Sequence, residues 1–392
     1  MSNKAKSASS RMTHMFRVLS FALIVGMLAA CVSVPLPPQP PIAVTAPAAP
    51  SVLPADEAPL PAAIVRGNSR WQPVRWAELP GFEADALHEA WNAWIRNCER
   101  PVAPLAALCN EARQLSIASA GERRAWMMQR LQPYRIDPLQ PGAEGLLTGY
   151  YEPMLDAARL PSDAQQVPLY KAPPAVVKRQ TWYTRQEIDT LPQARAALQD
   201  RAIAYVADPL DALALQIQGS GRLRITEPDG HVRVVRLAFA GSNQQPYRSI
   251  GSWLLQQGAT RDATWPGIKA WARANPQRLQ ELLWSNPRVV FFREEPLSDF
   301  DAGFGPRGAL GVPLTPGRSI AVDKDSIPYG TPVWLSSPGP LLALDRLVFA
   351  QDTGSAIVGA VRADLFVGWG PEAGDTAGRL KQPLSLWALW PR

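Results

Sequence analysis

The chain has 392 residues with a formal net charge of +6, and 46% of its residues are hydrophobic against 19% charged. This length predicts that the body holds two domains, and the apolar fraction suffices for a substantial core. The first thirty residues hold four basic residues and no acidic one, so the rest of the chain carries a net charge of +2. Because that remainder has no basic cluster, the composition excludes nucleic acid as a partner.

Residues 1–30 are predicted to be a targeting segment. A basic start precedes an apolar run at residues 16–30, which is too short for a transmembrane helix and typical of a secretory signal. The run ends in LAAC, which resembles a bacterial lipobox, in which Cys31 is lipidated and becomes the mature N-terminus. The alternative is a plain signal peptide with a chance cysteine. Val32 in place of Asp favours the outer over the inner membrane.

Residues 31–66 are predicted to be a tether. Ten prolines lie in residues 32–66 among Ala and Val, a composition that favours extended polyproline II and cannot build a core. At about 3.1 Å per residue the segment reaches roughly 100 Å at most. It would hold a catalytic body away from a membrane, or serve as a spacer without further function.

The body begins with predicted helices at residues 83–98 and 121–131, the first with Leu87, Trp91 and Trp94 on one face. Cys98 and Cys109 form an even pair in an exported chain, which predicts a disulfide, with two buried thiols as the alternative. Residues 145–153 (GLLTGYYEP) then predict a strand that ends in a turn.

The middle of the body is predicted to be rich in β structure. The expected strands are residues 213–218 (LALQIQ), 222–226 and 231–239, with a hairpin turn at Asp229-Gly230. Helices are expected at residues 247–257 and 265–284. From residues 289–293 (VVFFR) to 384–390 (LSLWALW), short strands between Gly and Pro turns predict a small barrel.

Three aspartates in the last eighty residues are the candidate catalytic groups. Asp323 and Asp352 each end an apolar run, and Asp364 follows twelve residues after Asp352. Carboxylates at such positions are costly to bury, which favours acid/base chemistry, although Asp before Gly or Thr is also ordinary turn chemistry. His88 and His231 are the histidines outside the targeting segment, so a histidine triad or a His-rich zinc site is not expected.

Residues 215–225 (LQIQGSGRLRI) are a candidate binding segment. If the segment is a strand, Gln216 and Gln218 share a face, and Gly219 and Gly221 allow a ligand to approach the backbone. Side-chain amides suit hydroxyl-rich or N-acetylated ligands, while a glycine bulge in a hairpin is the structural alternative. Fourteen tryptophans in 392 residues is a high number, and exported carbohydrate-active proteins often bind sugars on aromatic faces. Trp334 and Trp369 lie nearest in sequence to the candidate carboxylates, so they are the candidates for stacking on sugars.

Collinear motifs across nearly the whole body resemble those of the MltA-type membrane-bound lytic murein transglycosylases. The tail resembles the 3D module, whose three aspartates match Asp323, Asp352 and Asp364 in order. It departs at Ser355, where many relatives have Gly. The matching segments are residues 148–153 (TGYYEP), 167–173 (VPLYKAP), 183–189 (YTRQEID), 215–223 (LQIQGSGRL), 241–251 (GSNQQPYRSIG), 285–294 (SNPRVVFFRE), 308–335, 351–359 (QDTGSAIVG) and 363–383.

The resemblance implies a mainly β fold: a double-psi β-barrel with a second β domain inserted into it, a few peripheral helices and a groove between the domains. The barrel would comprise residues 67–154 and 290–392, with the 3D module at about 308–390. The insertion would comprise residues 155–289.

The resemblance also implies cleavage of the β-1,4 bond between N-acetylmuramic acid and N-acetylglucosamine without water, leaving 1,6-anhydromuramyl ends. Asp364 would act as general acid and then general base, with Asp352 as a second carboxylate. An apolar neighbourhood, for which Leu365, Phe366 and Val367 are candidates, would raise the pKa of Asp364. Residues expected to bind substrate are Gln216, Gln218, Gly219, Ser220, Tyr150, Tyr151 and Asp323, the last with a structural role left open.

No cofactor or metal is expected. The partners implied are peptidoglycan glycan strands, the outer membrane through the lipid anchor, facing the periplasm, and proteins of cell-wall synthesis. Two other functions stay open at this stage. One is a β-1,4-glycan hydrolase on the same barrel, and the other is a non-catalytic murein-binding lipoprotein.

Overall fold

The computed structural model describes residues 59–140, 142 and 144–392. The predicted signal segment, Cys31 and most of the predicted tether lie outside these residues. Strand pairing already begins at Ile64, inside the segment predicted to be tether, because Ile64 pairs with Trp71. Among the helices of the described part, none is both long and apolar enough to span a membrane.

The described residues are mainly β, which confirms the predicted fold class. Their strands are β1 Ile64–Arg66, β2 Ser69–Pro73, β3 Leu131–Pro138, β4 Leu146–Glu152, β5 Met154–Ala158, β6 Val167–Tyr170, β7 Ala202–Val206, β8 Gly221–Thr226, β9 Val232–Ser242, β10 Val290–Pro296, β11 Ser319–Val322, β12 Pro332–Pro338, β13 Ala343–Asp352, β14 Arg362–Trp369, β15 Lys381–Pro383 and β16 Ser385–Pro391.

The helices lie around two sheets. The α-helices are α1 Leu87–Asn97, α2 Cys109–Gln114, α3 Ala120–Arg130, α4 Pro174–Val177, α5 Arg185–Thr190, α6 Pro192–Leu198, α7 Pro209–Gln218, α8 Ile250–Gln256, α9 Trp265–Ala274, α10 Leu279–Trp284, α11 Asp299–Ala302 and α12 Gly370–Arg379. Short 3-10 helices are Trp76–Glu78, Phe82–Ala84, Leu105–Leu108, Leu115–Ile117 and Pro276–Arg278.

The first sheet takes its strands from the two ends of the body, in the order β1-β2-β3-β16-β12-β13-β11-β14-β4-β15. β11 is parallel to β13 and β14 is parallel to β4. The edge strand β15 returns to β12, because Ser337 Oγ donates to the Pro383 carbonyl at 2.6 Å and Gln382 Nε2 donates to Ser337 Oγ at 2.7 Å. β12, β13, β11, β14, β4 and β15 therefore close into a barrel around a buried apolar interior.

The second sheet is built from the chain between these two parts, in the order β10-β9-β8-β5-β7-β6. Lys171, directly after β6, forms a bridge with Phe292 of β10, so this sheet is also nearly closed. Its hydrogen-bonded strands extend from Met154 to Pro296, because β10 pairs with β9 along its whole length. Sheet membership therefore continues beyond residue 289, the predicted end of the insertion, and the division into domains stays a proposal.

The segment LALQIQ is helix α7, so its prediction as a strand was wrong. Asp208 caps the helix by accepting a hydrogen bond from the Leu210 N–H at 2.8 Å, Pro209 occupies the first turn, and Gly219 ends the helix with φ +82°. These signals flank the segment, and they outweigh its short alternating pattern. The predicted helix at 265–284 is broken before Pro276, which cannot continue a helix.

Six of the fourteen tryptophans belong to a core between the helices and the outside of the first barrel. This core includes the side chains of Trp76, Trp91, Trp94, Trp126, Trp334 and Trp387. Trp334 is fully buried and donates through Nε1 to the Pro80 carbonyl at 2.9 Å. The hypothesis that Trp334 stacks on a sugar is therefore wrong. Cys98 and Cys109 form the disulfide predicted from the sequence, which ties α1 to α2.

Candidate active site

The site lies on the outer face of the first barrel, where β13, β11, β14 and β4 run side by side. Asp364 lies opposite Ala321 of β11 on one side and opposite Thr148 of β4 on the other. Asp352 also lies opposite Ala321, across the other edge of β11. Because directly opposed residues share a face of a sheet, both carboxylates flank the small Ala321 side chain on one face. Each carboxylate is partly exposed.

Asp364 has one described hydrogen-bond donor. Thr148 Oγ1 donates to Asp364 Oδ1 at 2.5 Å, and Arg362 Nη2 donates to the same Thr148 oxygen at 2.8 Å. Because an arginine can only donate, it directs the threonine proton towards Asp364. Burial raises the pKa of Asp364, while the Thr148 hydrogen bond and the Arg362 charge act in the opposite direction. Asp364 Oδ2 has no hydrogen-bond partner within the described residues and is available to a ligand.

Three neighbouring residues were predicted to raise the pKa of Asp364. Leu365 lies opposite Ile320 of β11, and both side chains point into the barrel interior. Because successive side chains of a strand alternate, Leu365 is on the face opposite Asp364. Phe366 shares the face of Asp364 and packs with its ring centroid 5.4 Å from that of Tyr150. Phe366 is thus the member of this set that shares a face with the carboxylate.

Asp352 is held by three donors. The Tyr150 hydroxyl donates to Oδ2 at 2.8 Å, and the Ala309 and Thr353 N–H groups donate to Oδ1 at 3.0 and 2.9 Å. Burial nevertheless raises the pKa of Asp352 to about 6, with a smaller contribution from Asp364. Burial and the Asp352 charge raise the pKa of Tyr150 well above its usual range, so Tyr150 remains a donor.

Replacing Asp352 with Asn is expected to change how stability depends on pH. The folded-state pKa of about 6 lies above the ordinary value of 3.8, so the folded protein binds more protons than the unfolded chain between these values. The free energy of unfolding of the wild type therefore falls as pH rises through this window. Relative to wild type, Asp352→Asn should gain roughly 2 kcal/mol between pH 4 and pH 7, measured by urea unfolding at both values.

The matched control for this measurement is Asp345→Asn. Asp345 lies on the same strand but is exposed, so its variant should follow the wild-type curve. Parallel curves for Asp352→Asn and wild type would show that the Asp352 carboxyl is not desolvated in the folded protein.

Asp323 occupies a loop after β11. Its Oδ1 accepts from the Asp325 N–H at 3.1 Å and its Oδ2 accepts from the Gly359 N–H at 2.9 Å. Both oxygens thus hold backbone, and these contacts favour the structural role that the sequence left open. No hydrogen bond between described residues links it to the other two aspartates.

The predicted binding segment adjoins the site from the second sheet. Gln218 Oε1 accepts from the Tyr151 N–H at 3.1 Å, which holds the end of α7 against β4. Gln216 Oε1 instead accepts from Arg185 Nη2 at 2.8 Å. The two amides therefore have different partners and do not act as the pair that a strand would present. Gly219 faces open space, whereas Ser220 is buried.

Trp369 is the second tryptophan that was predicted to stack on a sugar. Trp369 is partly exposed, but the guanidinium of Arg222 lies 4.3 Å from its ring centroid and covers one face.

Thr148 and Arg362 were not predicted from the sequence as site residues. The alternation of Arg362 with Asp364 on one strand was an available signal, but Thr148 is 216 residues away from Asp364. Within the described part of the chain, no group of three acidic, His or Cys side chains could hold a metal ion.

Known proteins resemble this chain in both sequence and structure. The model described as MltA specific insert domain matches residues 146–293, and the 3D domain model matches residues 318–390. The chain is 32% identical over 256 residues to membrane-bound lytic murein transglycosylase A of Vibrio cholerae. This match covers 62% of this chain and 65% of that protein. The matched region therefore spans just under two thirds of this relative.

Solved structures cover more of the chain. The lytic transglycosylase LtgG of Burkholderia pseudomallei is 44% identical, with a TM-score of 0.56, over 85% of this chain and 100% of its own. MltA from Neisseria gonorrhoeae is 30% identical, with a TM-score of 0.69, over 85% of this chain and 96% of its own.

Proposed function

The chain belongs to the MltA family of lytic murein transglycosylases, and from this membership we propose that it cleaves peptidoglycan glycan strands. The bond cleaved is the β-1,4 linkage from N-acetylmuramic acid to N-acetylglucosamine. The reaction uses no water and leaves 1,6-anhydromuramyl ends.

The catalytic assignment rests on Asp364 Oδ2, which accepts no hydrogen bond from the described residues. Asp352 has both oxygens engaged by protein donors, whereas Asp364 accepts from Thr148 through Oδ1 alone among the described residues. A group that transfers a proton must reach the substrate. Asp364 is partly exposed and offers Oδ2 for this contact.

The chemistry needs one acid that becomes a base. Protonated Asp364 gives its proton to the glycosidic oxygen, the bond from that oxygen to the muramyl anomeric carbon breaks, and positive charge develops on the sugar. The muramyl 6-hydroxyl then bonds to the anomeric carbon while Asp364 takes the hydroxyl proton. A hydrolase commonly needs two carboxylates, but here the nucleophile belongs to the substrate and is already positioned.

Asp352 supports this step by its charge. With a pKa of about 6 it is mostly ionised at pH 7, and its negative charge stabilises the developing positive charge on the sugar. The Tyr150 hydroxyl and two backbone N–H groups hold the carboxylate in place, so no reorganisation is needed during the reaction. Tyr151, Gln218 and Gly219 are the proposed sugar contacts at the junction of the two sheets.

The proposed location is the outer membrane, facing the periplasm. The predicted lipid anchor at Cys31 and the proline-rich tether support this location, as does the description of the curated relatives as membrane-bound. Proteins of cell-wall synthesis are proposed partners, because cleavage of strands must be matched to insertion of new ones.

The decisive test is the chemical identity of the product end. Purified sacculi are digested in water enriched in oxygen-18, and the soluble muropeptides are analysed by mass spectrometry. We expect anhydromuramyl ends, 18 Da lighter than reducing ends in ordinary water, without incorporated label. Labelled reducing ends would instead identify a hydrolase, and an absence of soluble products would identify a binding protein.

A further inference from the structure

A small polar pocket lies where the loop after β13, which follows Asp352, meets the second sheet. It is lined by Gln216, Ile217, Tyr247, Asn286, Arg288, Val290 and Ser355. Ser355 follows Asp352 by three residues, and Gln216 precedes by two residues the glutamine that holds Tyr151. The cavity of about 30 Å³ has room for about two water molecules or one carboxylate group.

Arg288 is a half-buried cation in this pocket. Its Nη1 donates to the Gln245 carbonyl at 3.1 Å, and within the described residues no acidic side chain pairs with it. Burial lowers its pKa, with no opposing contribution from a carboxylate. Arg222 and Arg362 differ in this respect, since Arg222 pairs with Glu152 and the charge of Arg362 lowers the pKa of Asp364.

The backbone around Arg288 is fixed from both sides. Asn286 Oδ1 accepts from the Arg288 N–H at 3.2 Å, and Arg185 Nη2 donates to the Arg288 carbonyl at 2.5 Å and to Gln216 Oε1 at 2.8 Å. Asn286 itself is buried. The backbone that carries Arg288 is therefore fixed before any ligand binds, and the Gln245 carbonyl orients one side of the guanidinium, which together lower the ordering cost of binding.

We propose that this pocket binds a carboxylate of the glycan substrate and makes the enzyme prefer anionic over neutral β-1,4 glycans. A guanidinium binds a carboxylate through two parallel hydrogen bonds, and an anion would offset the desolvation of Arg288. Gln216, Tyr247 and Ser355 supply further polar atoms around the same space. The carboxylate could come from the muramyl lactyl group or from a peptide stem. This inference rests on the proposed function.

Binding measurements without turnover test the proposal. In the Asp364→Asn background, calorimetry would compare three tetrasaccharides: a peptide-free muramyl glycan with free lactyl carboxylates, the same glycan with these carboxylates amidated, and neutral chitotetraose. A fourth ligand carries peptide stems with free carboxylates. We expect Arg288→Gln to weaken binding of a carboxylate-bearing ligand about tenfold and to leave the amidated glycan and chitotetraose within twofold.

Two variants control for folding and for general charge effects. Arg288→Lys retains the cation and should recover part of the loss. Arg293→Gln removes an exposed arginine of β10 that pairs with Glu295, and it should bind all four ligands as the parent does.

The outcomes separate the possible sources of the carboxylate and the two proposals. A loss for the peptide-free glycan identifies the lactyl group, and a loss confined to the peptide-bearing ligand identifies the stem. Equal losses for charged and neutral ligands, or no loss for any, would overturn the carboxylate pocket. Since binding is measured without catalysis, a failure of wild type to produce anhydro ends would contradict the proposed function alone.

Discussion

Replacing Asp364 with Asn is expected to lower the release of soluble muropeptides from sacculi by about three orders of magnitude, because the amide can neither protonate the glycosidic oxygen nor accept the 6-hydroxyl proton. The side chain keeps its shape, so the Thr148 hydroxyl can still donate to its oxygen. Binding to sacculi, measured by co-sedimentation, should therefore remain. Release is measured by chromatography of soluble products over time.

Two variants frame this result. Asp345→Asn changes an exposed aspartate on β13, away from Asp352 and Asp364, and should keep the wild-type rate. Asp352→Asn should fall between the two, because it removes a supporting charge and leaves the acid. Wild-type release by Asp364→Asn would show that another group transfers the proton.

Replacing Glu152 with Gln is expected to lower the free energy of unfolding by about 3–5 kcal/mol. Glu152 is fully buried at the end of β4, and it accepts from Arg222 Nε at 2.7 Å and from Arg236 Nε at 2.6 Å. The neutral amide would leave two buried guanidiniums without an anion. The loss is measured by urea unfolding followed by tryptophan fluorescence.

The same arginines connect separate parts of the chain. Arg222 and Arg236 lie on β8 and β9 of the second sheet, and both donate to the Phe304 carbonyl in the segment that returns to the first barrel. Glu152 thus lies where the chain leaves the first barrel, and its partners hold the place where it returns. Loss of this carboxylate should weaken the connection between the two sheets as well as overall stability.

An exposed ion pair on the same sheet provides the control. Asp156 and Arg224 pair at 2.6 Å with their side chains 65% and 53% exposed, so Asp156→Asn should cost less than about 1 kcal/mol. Comparable small losses for Glu152→Gln and Asp156→Asn would mean that burial does not strengthen the dependence on the Glu152 charge.

Local sequence signals predicted the type of many elements. The helix expected near residues 121–131 is α3 at Ala120–Arg130, whose Ser119 and Glu122 form a reciprocal cap. The strands around Asp229-Gly230 are β8 and β9. The error at LALQIQ arose because six alternating residues fit a strand as well as a helix, while the deciding residues, Asp208, Pro209 and Gly219, lie outside the pattern.

The sequence by itself predicted a β-rich body, the disulfide pair and three candidate aspartates, because these depend on composition, periodicity and motif order. The nested double-psi barrel was implied by the resemblance of the motifs to a known family. The motif resemblance ranked the three aspartates, and only the tertiary structure shows what each of them contacts. Asp352 meets Tyr150, which is 202 residues distant, and Asp364 meets Thr148, while Asp323 binds the backbone of its own loop and of Gly359. Burial and cross-strand donors set the pKa and the free oxygens of each carboxylate, and both arise from strands that are far apart in the chain.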